Sequence, residues 1–147
     1  MAVLVPVNMT LAVEISKKKC LKFGAACRFY KLDETTGLKV YPGSPYSRNG
    51  EFFAMFSFEE QNRAWRLGFG CKTGDLVINR DFIAYTTELA ITAEDKAARD
   101  GTKVSLEDSD TIYRLMRDND FYGACDMQPF NWGYLPDGKI VALDFGN

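Results

Sequence analysis

An α+β fold is the architecture this chain predicts, on three observations. β-Branched and aromatic runs separated by turn residues fill 21–41 and 76–91, a charged helix-prone stretch spans 92–118, and a short hairpin closes the sequence. The 147 residues suffice for one core, so a single domain over 1–147, or two small lobes sharing one cleft, is expected. With 46% hydrophobic and 14% aromatic residues, the composition is that of a chain able to pack.

Taken in order, AVLVPVN and LAVEI within 2–15 read as extended structure bent near Pro6 and Asn8. Three short strands follow: one into Gly24, one through Phe29 and Tyr30, one from Leu38 to Tyr41. PGSPYSRNG is turn-forming, and a helix is predicted over Phe58 to Leu67, ended by Gly68 and Gly70. Trp65, Phe52, Phe53 and Phe56 are assigned to the core. Extended material occupies 76–91, notably FIAYTTELAI. A helix between Thr92 and Asp118 is predicted from Ile112, Leu115 and Met116 at helical spacing, with Ser105 or Asp108 as its cap. Pro136-Asp137-Gly138 then makes a tight turn between WGYL and KIVAL.

Composition excludes several functions. The 18 basic and 20 acidic residues are interspersed and leave a net charge of −2, so no footprint for nucleic acid or an anionic membrane is present. The sequence contains no histidine, which rules out histidine metal sites, Ser-His-Asp triads and Cys-His dyads. Cys20, Cys27, Cys71 and Cys125 lack paired spacing and read as thiols of a reducing cytoplasm. The apolar start from Met1 to Val7 is broken by Pro6 and lacks the basic and apolar regions of a signal peptide, and no run reaches membrane-spanning length, so a cytoplasmic protein is expected.

The chemistry concentrates around the hairpin. Asp126 and Asn131 precede its first strand and Asp144 follows its second, so the turn draws three oxygen-bearing side chains together. Oxygen ligands suit magnesium, which keeps several waters and also binds nucleotide phosphates.

Asp126-Met-Gln-Pro-Phe-Asn131 resembles the catalytic loop of protein kinases and kinase-like phosphotransferases, and Asp144-Phe145-Gly146 resembles their magnesium-binding Asp-Phe-Gly triplet. The resemblance implies a minimal two-lobe kinase-like fold, with an N-lobe-like part over about 1–90 and a C-lobe-like part over about 91–147. It implies ATP and Mg2+ as cofactors, Asp126 as catalytic base, and Asn131 and Asp144 as metal ligands. GLKVYPG resembles the third strand of bacterial kinase-like proteins, making Lys39 the phosphate-pairing lysine, and Gly24 to Lys31 a degenerate glycine-rich loop retaining Gly24. Glu60 is the implied acidic partner of Lys39, with Glu59 and Gln61 left open. FIAYTTELA resembles the fifth strand and hinge, with Thr87 or its neighbour near the gatekeeper position and Glu88 to Ala90 offering backbone groups to adenine.

The sequence departs from the family where Ala124-Cys125 replaces the usual His-Arg. It ends one residue after Gly146, which predicts a fold lacking the activation segment and later C-lobe helices. The expected function is an ATP-dependent phosphotransferase acting on a hydroxyl of a protein, its own chain included, or of a small molecule. The alternative is a pseudokinase-like protein that binds and regulates a partner, as a phage or bacterial accessory factor would. A third reading is an α+β interaction domain without nucleotide. Because apolar residues around Phe130, Trp132, Tyr134 and Phe145 have few predicted neighbours, a protein partner or a second copy is expected to complete the truncated lobe through them.

Overall fold

The computed structural model describes residues 20–23, 27–42, 48–78, 82–122, 124 and 127–145. The extended segment expected within 2–15 lies outside them. The chain divides into two compact units, 1–58 with 72–89 and 147, and 59–71 with 90–146.

The first unit is built on an antiparallel sheet of β1 (Cys20–Phe23), β2 (Arg28–Lys31), β3 (Thr36–Pro42), β4 (Thr73–Ile78) and β5 (Phe82–Glu88), ordered β1-β2-β3-β5-β4. Strand alternation sends successive side chains to opposite faces. Leu38, Val40, Phe82 and Ala84 therefore gather with Tyr30 in one cluster, and Tyr41, Ile83 and Tyr85 in another with Ala54. Asp33 makes the turn between β2 and β3 by accepting from the Thr35 N–H at 2.9 Å.

Ala54 belongs to α1 (Arg48–Leu67), which starts ten residues before the expected Phe58 and takes in the end of the segment read as a turn. Its buried positions explain the length: Ala54, Ser57, Gln61 and Ala64 recur at helical spacing, each at most 2% exposed. Packing along this stripe overrides the turn propensity of Asn49 and Gly50. The stripe also corrects the place of Trp65, which lies off it and is 39% exposed.

The second unit holds β6 (Ile91–Thr92), β7 (Trp132–Tyr134) and β8 (Ile140–Ala142) as a three-stranded antiparallel sheet, with α2 (Ala93–Asp100) and α3 (Leu106–Asp118). The stretch expected to give one helix gives two. Thr92 caps α2 by accepting from the Asp95 N–H at 3.0 Å, and Gly101 stops it in the left-handed region at φ 67°. Ser105, not Asp108, caps α3, accepting from the Asp108 N–H at 3.2 Å.

Ile112 and Met116 of α3 pack with Phe69, Phe121, Trp132 and Phe145 in this unit's core. Trp132 is 0% and Phe145 1% exposed, so these two do not form the open aromatic surface expected of them; the inward face of α3 covers them. Phe130 alone of the four stays well exposed, at 43%.

Candidate active site

The second unit carries the hairpin. Gly138 N–H donates to the Leu135 carbonyl at 2.8 Å and Leu135 N–H to the Lys139 carbonyl at 2.9 Å, closing the Pro-Asp-Gly turn as its sequence dictates. The register pairs Trp132 with Ala142 and Tyr134 with Ile140. One step beyond that ladder, Leu143 N–H donates to the Asn131 carbonyl at 2.9 Å, so Asn131 is held beside the residue that precedes Asp144.

The loop before the hairpin is anchored on both sides of Phe130. Asn131 N–H donates to the Gln128 carbonyl at 2.7 Å, and the Pro129 carbonyl accepts from the Glu94 N–H in the first turn of α2 at 3.0 Å. Asn131 is buried. Asp126 and Gly146 lie outside the described residues, as does Gly24 of the glycine loop.

Asp144 is half-buried, and its Oδ1 is enclosed with no hydrogen-bond partner among the described residues. A carboxylate oxygen taken out of water without a donor is costly, and such groups in native proteins usually answer to an ion or to catalysis. The donor set at the hairpin, one carboxylate and one amide oxygen, fits a partly hydrated magnesium. Among the described residues no trio of Cys, Asp or Glu side chains gathers to hold a metal. Asn131 and Asp144 would therefore need waters or phosphate oxygens to complete the coordination of a cation.

Two contacts brace this unit. Arg63 donates through Nε and Nη2 to both oxygens of Glu60, at 3.2 and 2.9 Å, and through Nη1 to the Asn119 carbonyl at 2.7 Å. Its guanidinium lies 3.7 Å from the centre of the Phe121 ring. Arg63 thus ties α1 to the C-terminal end of α3, where a cation also complements the helix dipole. Glu60, expected as the partner of Lys39, gives its carboxylate to Arg63; Gln61 donates to the Cys71 carbonyl at 3.1 Å, and Glu59 is exposed. The sequence held one clue to this brace, the spacing of Glu60 and Arg63 at one helical turn. Arg63→Ala is expected to cost about 2–3 kcal/mol, because it leaves the Glu60 carboxylate and the Asn119 carbonyl without their cation. Urea unfolding of the two proteins would measure it.

The second brace is Tyr134, whose hydroxyl donates to Asp108 Oδ2 at 2.6 Å while Lys96 Nζ sits 5.2 Å from its ring centre. Burial, and the Asp108 carboxylate accepting its proton, push the Tyr134 phenol well above the usual range. A phenol raised on folding stabilises fully below its unfolded value near ~10 and loses that contribution as pH climbs from there toward the folded value. Thermal unfolding should therefore show wild type falling toward Tyr134→Phe above pH ~10, and exceeding it below.

In the first unit, Lys39 is half-buried on β3, opposite Phe29 on β2 and Tyr85 on β5. It shares the face of Tyr41 and Tyr85, and its Nζ lies 5.8 Å from the Tyr85 ring centre. The Tyr85 hydroxyl is 3.0 Å from Ser57 Oγ, which locks that ring against α1. Glu88 ends β5; its Oε1 accepts from the Lys72 N–H at 2.7 Å, and its own N–H donates to the Lys72 carbonyl at 2.9 Å. Leu89 N–H donates to the Thr35 carbonyl at 3.0 Å, so both N–H groups are bonded within the unit, while Ala90 is half-buried at the start of the second.

With this geometry in view, the fold is kinase-like. Two similar solved structures are those of WbdD, a bifunctional kinase-methyltransferase. One matches with a TM-score of 0.55 and 14% identity over 82% of this chain and 29% of that one. The other matches with a TM-score of 0.54 and 13% identity over 83% and 30%. The chain thus spans under a third of the length of these neighbours. No family model matches the sequence, and no curated protein does. Among the described residues no helix is long and apolar enough to cross a membrane.

Proposed function

We propose that the protein is an ATP- and magnesium-dependent phosphotransferase acting on a hydroxyl of a protein, its own chain included, or of a small molecule. The observation that carries this reading is the enclosed Asp144 Oδ1, without a donor among the described residues and one ladder step from buried Asn131. The likeness in fold to a kinase-methyltransferase supports the reaction class. Magnesium, when bound, would draw the phosphate oxygens together and neutralise their charge.

Asn131 and Asp144 would hold that ion through their side-chain oxygens. Lys39 sets an ammonium against the phosphates, and Asp126 orients the acceptor hydroxyl and takes its proton. The hydroxyl oxygen bonds the γ-phosphorus as the bond to the β–γ bridging oxygen breaks, releasing ADP. Positioning and charge neutralisation supply most of the catalysis in this chemistry, so a lysine, two metal ligands and a base form a sufficient set. Transfer from radiolabelled ATP by the full chain should fall by at least ~100-fold in Asp126→Asn. Undiminished transfer would remove Asp126 from the role of base.

A second reading is favoured by the Glu60 carboxylate, which Arg63 already holds at two points. With that acid engaged, the protein would bind nucleotide and regulate a partner without transferring phosphate. A thermal shift with ATP and magnesium but no transfer to any acceptor distinguishes this reading from the first.

A further inference from the structure

We propose that Thr92 is a positioning residue for Asn131, acting through the first turn of α2 on the loop before the hairpin. Its bearing on the reaction rests on the role proposed for Asn131 toward magnesium.

Thr92 ends β6 opposite Gly133 of β7, with extended backbone at φ −65° and ψ 154°. Its backbone therefore belongs to the sheet, while its hydroxyl starts a helix by accepting from the Asp95 N–H at 3.0 Å. The first four N–H groups of a helix have no acceptor within it, so acceptors must come from outside. The Thr92 cap answers for Asp95. The Glu94 N–H turns instead to the Pro129 carbonyl, at 3.0 Å. Ala93, 2% exposed, lies in the same core cluster as Trp132, which keeps the start of α2 close to the strand that follows Asn131.

Pro129 has no N–H, so its carbonyl is the one backbone group through which it can be held by hydrogen bonding. It is the second residue of a four-residue turn, Gln128 to Asn131, closed by the Asn131 N–H on the Gln128 carbonyl at 2.7 Å. Proline at that position stiffens the turn, because the ring sets φ. The turn thus moves as one piece, and Asn131 moves with it. Two backbone bonds fasten the piece: Leu143 N–H to the Asn131 carbonyl on the hairpin side, and Glu94 N–H to the Pro129 carbonyl on the α2 side. The hairpin bond continues the register of β7 and β8. The α2 bond requires the first turn of that helix, which the Thr92 hydroxyl caps. Without the hydroxyl the α2 side slackens, and Asn131 loses one of the two bonds that set where it stands relative to Asp144.

Residue-resolved amide hydrogen exchange of the full chain tests the proposal on two variants. Thr92→Val keeps the branched shape without the acceptor, and Thr92→Ser keeps the hydroxyl. In Thr92→Val the Asn131 amide should exchange at least ~5-fold faster while Ile112 and Met116 in α3 keep their wild-type rates, and Thr92→Ser should match wild type throughout. Titration of magnesium at fixed ATP should show the half-saturating concentration rising by at least ~3-fold in Thr92→Val and not in Thr92→Ser, with ATP binding in EDTA unchanged. Equal acceleration at Asn131 and in α3, or none at Asn131, marks a purely structural cap and overturns the proposal. So does a freed Asn131 amide with an unchanged magnesium requirement. A wild-type chain indifferent to magnesium contradicts the proposed function instead, and the exchange rates still decide whether Thr92 holds Asn131.

Discussion

Asp144→Asn is expected to unfold at a higher temperature than wild type when no metal is present, and to lose the stabilisation that ATP with magnesium confers. Both effects follow from one atom. Asp144 Oδ1 is enclosed and has no donor among the described residues, which leaves a carboxylate oxygen uncompensated by them. A neutral amide of the same shape reduces that burden, by about 1 kcal/mol, which for a chain of this size raises the midpoint by roughly 2–4 °C. A ligand present at 100 times its dissociation constant stabilises by about 2.7 kcal/mol, and that gain should disappear in the variant. The opposite directions matter, since a residue with a purely structural role would lose stability on substitution and leave any ligand response in place. Differential scanning fluorimetry with EDTA, and then with ATP and magnesium, reads both.

Gly133→Ala is expected to destabilise the fold by about 3 kcal/mol, the upper part of the overpacking range. A Cβ there would fall on the Ile91 carbonyl oxygen and within 2.9 Å of Thr92 Cα. Both neighbours are backbone, so neither can rotate away. β6 would have to separate from β7, and Thr92, which caps α2, would move with it. A loss of that size is a large share of the stability of an ordinary domain. Guanidinium unfolding should show a lower midpoint with unchanged slope.

The hairpin was legible because its determinants are local. Pro136, Asp137 and Gly138 specify the turn by themselves, and from the turn it follows that Asn131 and Leu143 sit across from one another with Asp144 next in line. The start of α1 was hidden because its buried stripe is made of Ala54, Ser57, Gln61 and Ala64, small or polar residues that give little hydropathy signal, while Gly50 and its neighbours signal a turn. Gly101 sits in a charged run whose helical tendency continues on either side, so the break between α2 and α3 rests on one residue entering the left-handed region. The burial of Trp132 and Phe145 could not be read locally either. It depends on Ile112 and Met116 meeting the hairpin, a tertiary event. Glu60 and Arg63 lie one turn apart on the same helix with opposite charges, so their pairing is local and follows from spacing alone.

Magnesium-dependent binding of ATP is the central claim of the proposed function. Isothermal titration of the full chain with ATP, in magnesium and then in EDTA, tests that account most directly. It predicts one ATP bound per chain with magnesium, at least ~10-fold weaker binding in EDTA or in Lys39→Ala, and none detectable in Asp144→Asn. Absence of ATP binding by the wild-type chain, or binding indifferent to both magnesium and Asp144, would contradict it.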